Sequence, residues 1–230
     1  MIHWDLFERF GPRMAEGFLV TLELAFGSVL IGLLIAVPAA LARAYGPRPV
    51  SAALFGYTYV FRGTPILAQL YLLYNGSAEF QETLSAAGVW WLFSDPFFCS
   101  LLTFTLNTAA YQTEIFAGAI RNVPNGQIEA AKAAAMPPSL VARRIVLPQA
   151  ARLALRPFGN ELILMVKASA LASVVTVYDL LATARLAFQR TYDFQAYIAA
   201  AVIYVLTVEI IRRIWNVLDA RLNRHILPAS

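Results

Sequence analysis

The residues of this chain that are best suited to bind or move a charged group are polar side chains within long apolar segments. A charged side chain at the centre of a bilayer costs at least about 2.5–3.5 kcal/mol on insertion scales. Each such residue therefore needs a polar partner or a function. The candidates for a substrate pathway or gate are Arg62, Thr64, Asn107, Tyr111, Glu114, Asn160, Glu161 and Lys167.

Four polar residues of one apolar segment share a helical face, because they are spaced i, i+1, i+4, i+7: Asn107, Thr108, Tyr111 and Glu114. Such a stripe is either a hydrogen-bonded seam between helices or the lining of a substrate route. In the second case Glu114 would meet a cationic group of the substrate. The spacing leaves both alternatives open.

Two further sites carry charge within apolar segments. Asn160 and Lys167 share a face at i, i+7, while Glu161 lies about 100° round the helix. Our hypothesis is that Lys167 pairs with Glu114 or Glu161 in one state of a gate. Arg62 precedes Gly63-Thr64-Pro65, where proline must interrupt the helix and free backbone carbonyls. The guanidinium either satisfies those carbonyls or a neighbouring carboxylate, or it contacts substrate.

The sequence does not suggest an enzyme. We find no nucleophile with a base and no metal-ligand spacing, since the single cysteine, Cys99, lies in an apolar run and His3 and His225 are at opposite ends. A Gly-x-x-x-x-Gly-Lys-Ser/Thr phosphate loop is also missing. No catalytic residue, metal or cofactor is assigned to this chain.

Composition favours an all-α polytopic membrane protein. Of 230 residues, 59% are hydrophobic and 14% charged, against about a quarter charged in typical soluble domains. Mean hydropathy is +0.61. Five apolar segments are near the length that a helix needs to cross a bilayer, residues 18–42, 51–74, 96–120, 157–178 and 194–211.

Basic residues predict the orientation of these segments, because Lys and Arg accumulate on the cytoplasmic side. Twelve lie on one side: Arg43, Arg48, Arg121, Lys132, Arg143, Arg144, Arg152, Arg156, Arg212, Arg213, Arg221 and Arg224. Four lie on the other: Arg9, Arg13, Arg185 and Arg190. We therefore expect a periplasmic N-terminus and a cytoplasmic C-terminus. Residues 1–17 form either a periplasmic interfacial helix or an extension of the first span.

The connection between the third and fourth spans, residues 121–156, is called the insert below. We expect Asn125 to cap a helix that begins at Gly126 and that Pro137-Pro138 end. Ser139 would cap a second short helix, which stops before Pro148. The helix face of Ala130, Ala131, Ala134 and Ala135 is nearly bare of side chain. The insert is either a solvated loop or a lobe that docks on another protein.

At residues 128–149 the sequence reads IEAAKAAAMPPSLVARRIVLPQ, which resembles the EAA loop of ATP-binding-cassette importer permeases. That pattern has Glu-Ala-Ala, then a glycine, then Ile-x-Leu-Pro at a fixed distance. The resemblance implies an ATPase-coupling loop that contains Gly126, Glu129, Ala130, Ala131, Ala135, Ile145, Leu147 and Pro148. Ala135 stands where the glycine is usual, and Pro137-Pro138 and Arg156-Pro157 also depart from the common pattern.

The likeness extends over most of the chain, through YVFRGTPILAQLYLLYNG, LTFTLNTAAYQTEIFAGAIRNVPNGQIEAA and LPQAARLALRPFGNELILMVKASALASVVTVYDLL. These stretches resemble polar amino-acid permeases of the histidine/lysine-arginine-ornithine and opine type. The resemblance implies one transmembrane permease domain over residues 1–230, with five helices and the type I importer fold, in a bacterial inner membrane.

The same resemblance implies the partners. They are a second, similar or identical permease subunit, two ATPase subunits that bind ATP and Mg, and a periplasmic binding protein that delivers polar, basic or opine-type amino acids. Membrane lipid surrounds the subunit, and no nucleic acid is involved. The alternative is a self-sufficient secondary transporter, although five unequal spans give no clean inverted halves.

Overall fold

The computed structural model describes residues 4–222, and within that range every regular element is helical. The all-α prediction is confirmed. His3 and His225 lie outside the described residues. The α-helices are α1 Trp4–Tyr45, α2 Arg48–Gly63, α3 Ile66–Ala78, α4 Gln81–Ala86, α5 Trp90–Phe93, α6 Pro96–Arg121, α7 Asn125–Ala133, α8 Pro138–Val141, α9 Leu147–Ala168, α10 Leu180–Thr191 and α11 Gln195–Leu222. A π-helix, Ala142–Val146, precedes α9, and a 3₁₀-helix, Ser169–Val175, follows it.

Within residues 4–222, two stretches are long and apolar enough to cross a membrane by length and composition, Glu8–Tyr45 and Pro138–Val175. The first lies within α1, whose 42 residues extend over about 63 Å at 1.5 Å per residue. Of the two alternatives for residues 1–17, the described part, 4–17, continues without a break into the first span, as in the extension.

The predicted second span is interrupted where the sequence suggested. The chain leaves α2 at Gly63, Thr64 is extended, and Pro65 precedes the first residue of α3. Proline cannot donate a backbone hydrogen bond, and it pushes the residue before it out of the helical region. The chain therefore restarts as a new helix with a different axis.

The core forms around α6, which packs against α1, α2, α3 and α9. Its inward face is made of small and polar residues with one large aromatic, Phe104, which is completely buried. A Cβ added to Gly32 of α1 would lie 2.8 Å from Thr108 Cγ2, so α1 and α6 approach closely at this point. The apolar core cluster around Phe104 includes Leu24, Val29, Leu70, Leu162, Met165 and Val166.

The predicted fourth span, residues 157–178, is wrong at both ends. The helix already begins at Leu147, so Pro157 lies inside α9 rather than at its start. At the other end the chain tightens into the 3₁₀-helix at Ser169, whose hydroxyl donates to the carbonyl of Val166 at 2.8 Å. Such side chain–backbone bonds compete with the regular α-helical ladder.

Helix α11 is joined to α9 by an aromatic contact and an ion pair. The indole of Trp215 packs directly on Gly159, and its Nε1 donates to the Leu155 carbonyl at 2.7 Å. Arg156 Nε lies 2.7 Å from Asp219 Oδ2. Arg156, which departs from the usual family pattern, therefore links the two helices.

Gly17 provides a test of the packing of α1 on the chain before α10. A Cβ there would lie 2.6 Å from the backbone oxygen of Asp179 and 2.8 Å from Thr183 Cγ2. We expect Gly17→Ala to lower the free energy of unfolding by about 1–3 kcal/mol, because a backbone atom must move. Thermal unfolding of the purified subunit in detergent measures this.

The matched control is Gly56→Ala inside α2, an exposed position where an added Cβ meets nothing within 4 Å. It should be neutral or slightly stabilising, since alanine is the better helix former. Equal melting temperatures for the two variants would contradict the packing described here.

Candidate functional site

The helix break at Thr64–Pro65 is held together by two side-chain amides. Asn107 Nδ2 on α6 donates to the Phe61 carbonyl at 2.8 Å and to Gln69 Oε1 at 3.1 Å. Gln69 Nε2 donates to the Phe61 carbonyl at 2.9 Å and to Thr64 Oγ1 at 2.7 Å. These amides satisfy backbone carbonyls that lose their helical partners. Sequence reasoning missed Gln69, although an amide inside the apolar run ILAQLYLLY was a signal.

One of our alternatives was that the Arg62 guanidinium satisfies the freed backbone carbonyls, and in this conformation it does not. Its side chain is exposed, and the guanidinium carbon lies 5.2 Å from the centre of the Tyr111 ring. The Tyr111 hydroxyl in turn donates to the backbone carbonyl of Arg62 at 3.3 Å. The cation is therefore placed over an aromatic face beside the break, where its donors can reach another partner.

Glu114 belongs to a cluster that ties α1, α2 and α6 together. Its Oε1 accepts from Arg43 Nε at 2.9 Å and from Thr58 Oγ1 at 2.8 Å, and Arg121 approaches the other oxygen at 3.8 Å. The Arg43 side chain is only 13% exposed. Arg43, counted from the sequence only as a topology signal, occupies the Glu114 carboxylate in this conformation, so the pairing of Glu114 with Lys167 in one state of a gate stays a prediction.

Glu161 is buried, with 5% of its surface exposed, and receives a hydrogen bond from Thr108 Oγ1 at 2.9 Å. Gln112 Nε2 donates to the same hydroxyl at 3.1 Å, so a short polar chain crosses from α6 to α9. In this conformation Lys167 makes no ion pair within the described residues, and its pairing with Glu161 in another state of the gate stays a prediction.

The predicted pathway residues therefore separate into four groups. Arg62, Thr64, Asn107 and Tyr111 meet at the helix break, Glu161 lies buried against α6, and Glu114 lies in the α1–α2–α6 cluster. Asn160 and Lys167 are exposed on one face of α9. The hydrogen-bonded seam that the α6 stripe suggested is therefore present between α6 and its neighbours. The exposed polar face of α9 with Asn160 and Lys167 is not part of that seam.

Helix α7 of the insert presents one side to solvent and one to the subunit. Gly126, Glu129 and Ala130 are exposed, whereas Ala131 is 5% exposed and packs with Val141, Val146 and Ala150. The prediction that Ala131 shares an open face with Ala130 is wrong. Adjacent helical positions lie about 100° apart, and the Ala131 side chain turns into the apolar cluster.

The start of α7 also differs from the prediction. The helix begins at Asn125, Pro124 is the cap residue, and no side chain caps it. Asn125 thus lies one position too late to act as a cap. Gln149 Nε2 donates to Gln127 Oε1 at 2.6 Å and connects α7 to α9.

The end of α7 is a left-handed turn at Ala135. The helix stops at Ala133, Ala135 has φ 55°, and Met136 N donates to the Ala131 carbonyl at 3.1 Å. Ala135 N donates to the Lys132 carbonyl at 2.9 Å. These two bonds form a Schellman motif, whose left-handed position usually holds glycine. The helix therefore ends before Pro137-Pro138, which are not its terminator.

The second half of the insert is not a separate helix that stops before Pro148. Pro137 precedes α8, the π-helix follows directly, and Pro148 lies in the first turn of α9. Proline is tolerated there because the backbone donors of a first turn need no helical partner. The expectation that Ser139 caps a helix is also wrong, since Pro137 occupies that place. Ile145 and Leu147 are half-buried and Pro148 is exposed.

A helical membrane subunit with a broken span, a polar seam and a protruding insert is typical of the membrane part of a transport system. The chain belongs to the family described as "Binding-protein-dependent transport system inner membrane component", whose model matches residues 28–224. Membership decides against the alternative of a self-sufficient secondary transporter.

Curated relatives and solved structures agree with this assignment. The chain is 42% identical to the nopaline transport system permease protein NocM of Agrobacterium fabrum, over 93% of this chain and 89% of the relative. It is 39% identical to the histidine/lysine/arginine/ornithine transport system permease protein HisM of Escherichia coli, over 93% and 90%. A crystal structure of an amino acid ABC transporter with histidines matches with TM-score 0.84 and 31% identity, over 96% of this chain and 99% of that one. The MetNI methionine ABC transporter, at 20% identity and TM-score 0.74, over 91% and 96%, shows the fold alone.

The left-handed turn at Ala135 yields a prediction about the insert. A non-glycine residue in this region costs about 1–2 kcal/mol, and glycine loses roughly 0.4–1 kcal/mol more on folding. Ala135→Gly should therefore stabilise α7 by about 0.5–1 kcal/mol. Amide hydrogen exchange of residues 125–136, read by mass spectrometry, should slow.

The matched control is Ala130→Gly, an exposed position five residues earlier and inside the helix, which should speed the exchange because glycine disfavours helix by about 1 kcal/mol. If both substitutions accelerate exchange, the left-handed geometry assigned to Ala135 is incorrect.

Proposed function

We propose that this chain is the permease subunit of an ATP-driven importer of polar amino acids, of the basic or opine type, in a bacterial inner membrane. Its named relatives transport nopaline and histidine, lysine, arginine or ornithine. The observation that carries the mechanism is the exposed side of α7, mounted on a helical run that continues into the core. The N-terminus is periplasmic and the C-terminus, with the insert, is cytoplasmic.

The insert is the part that ATPase subunits move. Gly126, Glu129 and Ala130 present a nearly flat surface, and Ala131 fixes α7 to the rest of the insert through the cluster with Val141. A partner that seats on this surface displaces α7 together with α8 and α9. The two ATPase subunits bind ATP and Mg, and this chain contributes a rigid-body displacement.

A second permease subunit covers the polar face of α9 and the helix break. Asn160, Lys167 and Arg62 are exposed in the single subunit, and charged groups at membrane depth do not face lipid. The exposed faces of α1 and α11 are apolar by contrast, with Leu30 and Leu34 on one and Val205 and Ile210 on the other. Lipid contacts those faces, and the substrate route lies between the two permeases.

The charges on that route suit an amino acid. Arg62 and Lys167 are exposed cations for the carboxylates of the substrate, and Glu161, buried against Thr108 in this conformation, is the carboxylate for its ammonium or guanidinium group once the route opens. Asn107 and Tyr111 hold the helix break that positions Arg62. The periplasmic binding protein delivers the substrate from the outer side.

A pair of neighbouring alanines tests the proposed function. Ala130→Arg changes an exposed surface, so the isolated permease should keep its melting temperature. In the reconstituted complex with its ATPase, partner permease and binding protein, uptake should fall on the order of tenfold or more, because an unpaired charge is costly in a protein interface. The ATPase should also fail to copurify.

Ala131→Val is the control for a change that acts inside the subunit. It overpacks the buried cluster and should lower the melting temperature of the isolated permease. The substrate is identified separately, by measuring the ATPase activity of the reconstituted complex across a panel of basic amino acids and opines with the binding protein present. Full ATPase binding and uptake in the Ala130→Arg complex would refute the coupling role of the insert.

A further inference from the structure

A hollow of about 490 Å³ lies between α1 and α10, at the end of the molecule opposite the insert. Helix α9 leads away from the insert over about 33 Å, and α10 follows the 3₁₀-helix at its far end. The hollow is lined by Arg13, Glu16, Tyr178, Thr183, Leu186 and Arg190. A smaller hollow of about 180 Å³ adjoins it across Tyr178 and Leu186, and Arg185 and Gln189 line that one.

The charge of these hollows is positive and largely uncompensated. Arg13 and Arg190 are exposed, and within the described part of the chain neither makes an ion pair or a hydrogen bond. Arg185 donates to the Ser173 carbonyl at 2.9 Å and remains exposed. Glu16 is the one carboxylate among the described residues that line either hollow. Arg13, Arg185 and Arg190 therefore line the hollows with one exposed carboxylate, Glu16, while the carboxylate of Asp179 beside them is buried.

The arginines are mounted on a fixed frame. Gly17 lies directly against the backbone of Asp179, and Thr21 Oγ1 accepts from the Leu180 amide at 3.1 Å. The Asp179 carboxylate caps α10 by accepting from the Ala182 amide at 2.8 Å. The separation of Arg13 on α1 from Arg190 on α10 is thus set by buried contacts, and binding a partner does not first have to order the two helices.

We propose that the two hollows are a docking socket for carboxylate side chains of the binding protein on which this family's transport depends. This inference rests on the proposed function, which places α10 on the outer side. The family is defined as binding-protein-dependent, so a protein partner must contact that side. Arginine binds carboxylates through two parallel hydrogen bonds, which fixes geometry as well as charge.

The connection between α3 and α6, which the proposed function also places on the outer side, is negatively charged. This charge favours a protein as the partner over an anionic lipid surface. Between α3 and α6 the exposed acidic residues are Glu79, Glu82 and Asp95, and residues 75–95 include no Lys or Arg. A uniformly anionic surface would be repelled there. A protein that carries carboxylates opposite α10 and cations opposite Glu79 and Glu82 satisfies both patches and is oriented by them.

The test is a titration of binding protein against the intact complex in nanodiscs of phosphatidylcholine, with stimulated ATPase activity as the readout. Arg13→Glu with Arg190→Glu should raise the half-maximal concentration of binding protein about tenfold or more, since charges at an interface rim act on the encounter rate. Activity without binding protein should be unchanged. The milder pair Arg13→Gln and Arg190→Gln should flatten the salt dependence of the half-maximal concentration.

Arg9→Glu is the matched control, because Arg9 is an exposed arginine of the same helix that stacks on Phe10 and lies outside both hollows. An unchanged half-maximal concentration in both double variants overturns the socket, as does an equal shift in the Arg9→Glu complex. A shift that appears only in nanodiscs with anionic lipid assigns the arginines to a lipid headgroup and also overturns it. If the wild-type complex hydrolyses ATP and transports while the socket fails, the proposed function stands. A chain that binds no ATPase refutes the function itself.

Discussion

The insert and the membrane-spanning core are joined by one continuous helical run, residues 138–168. It passes from α8 through a π-helix into α9, and Pro138–Val175 is long and apolar enough to cross a membrane as one helix. Val141, Val146 and Ala150 on this run pack against Ala131 of α7. The run contains no loop, so a force on the insert is carried into the core through helical backbone, and the π-helix, Pro148 and Pro157 are the places where the run could bend. The assignment of the insert as a coupling element depends on this continuity.

The second constraint is that polar groups within the spans must find partners, and α6 supplies most of them. Asn107 bonds the broken end of α2, Thr108 donates to Glu161 on α9, and Glu114 accepts from Arg43 on α1. Polar contacts of this kind hold helices together where lipid gives no hydrophobic drive for association. The same helix thus fixes the relative positions of α1, α2 and α9, between which a transport route must open.

Many of these helices and polar positions could be predicted from the sequence, and the predictions that failed did so for physical reasons. Spacing alone placed the α6 stripe on one face and the helix break at Pro65, because periodicity and proline are local signals. The partners were not predictable in this way, since Gln69 and Arg43 come from other helices. Pro148 was taken as a stop because its role depends on whether a helix ends or begins there, which only the packing of Val146 and Ala150 decides. The left-handed turn at Ala135 was not predicted either, although the glycine that is usual at this position of the family pattern was a signal for it.

The most direct test of the central claim is a distance measurement by pulsed electron spin resonance. Spin labels at Ser139 and Leu164, both exposed, with Cys99 replaced by serine, should lie about 38 Å apart along the helical run. In an importer that retains transport, this distance should be the same with and without bound ATP, while the distance from Ser139 to a label at Leu34 on α1 changes by several ångströms. A change between Ser139 and Leu164 on ATP binding would show that the run bends, and the rigid coupling of insert to core would be wrong.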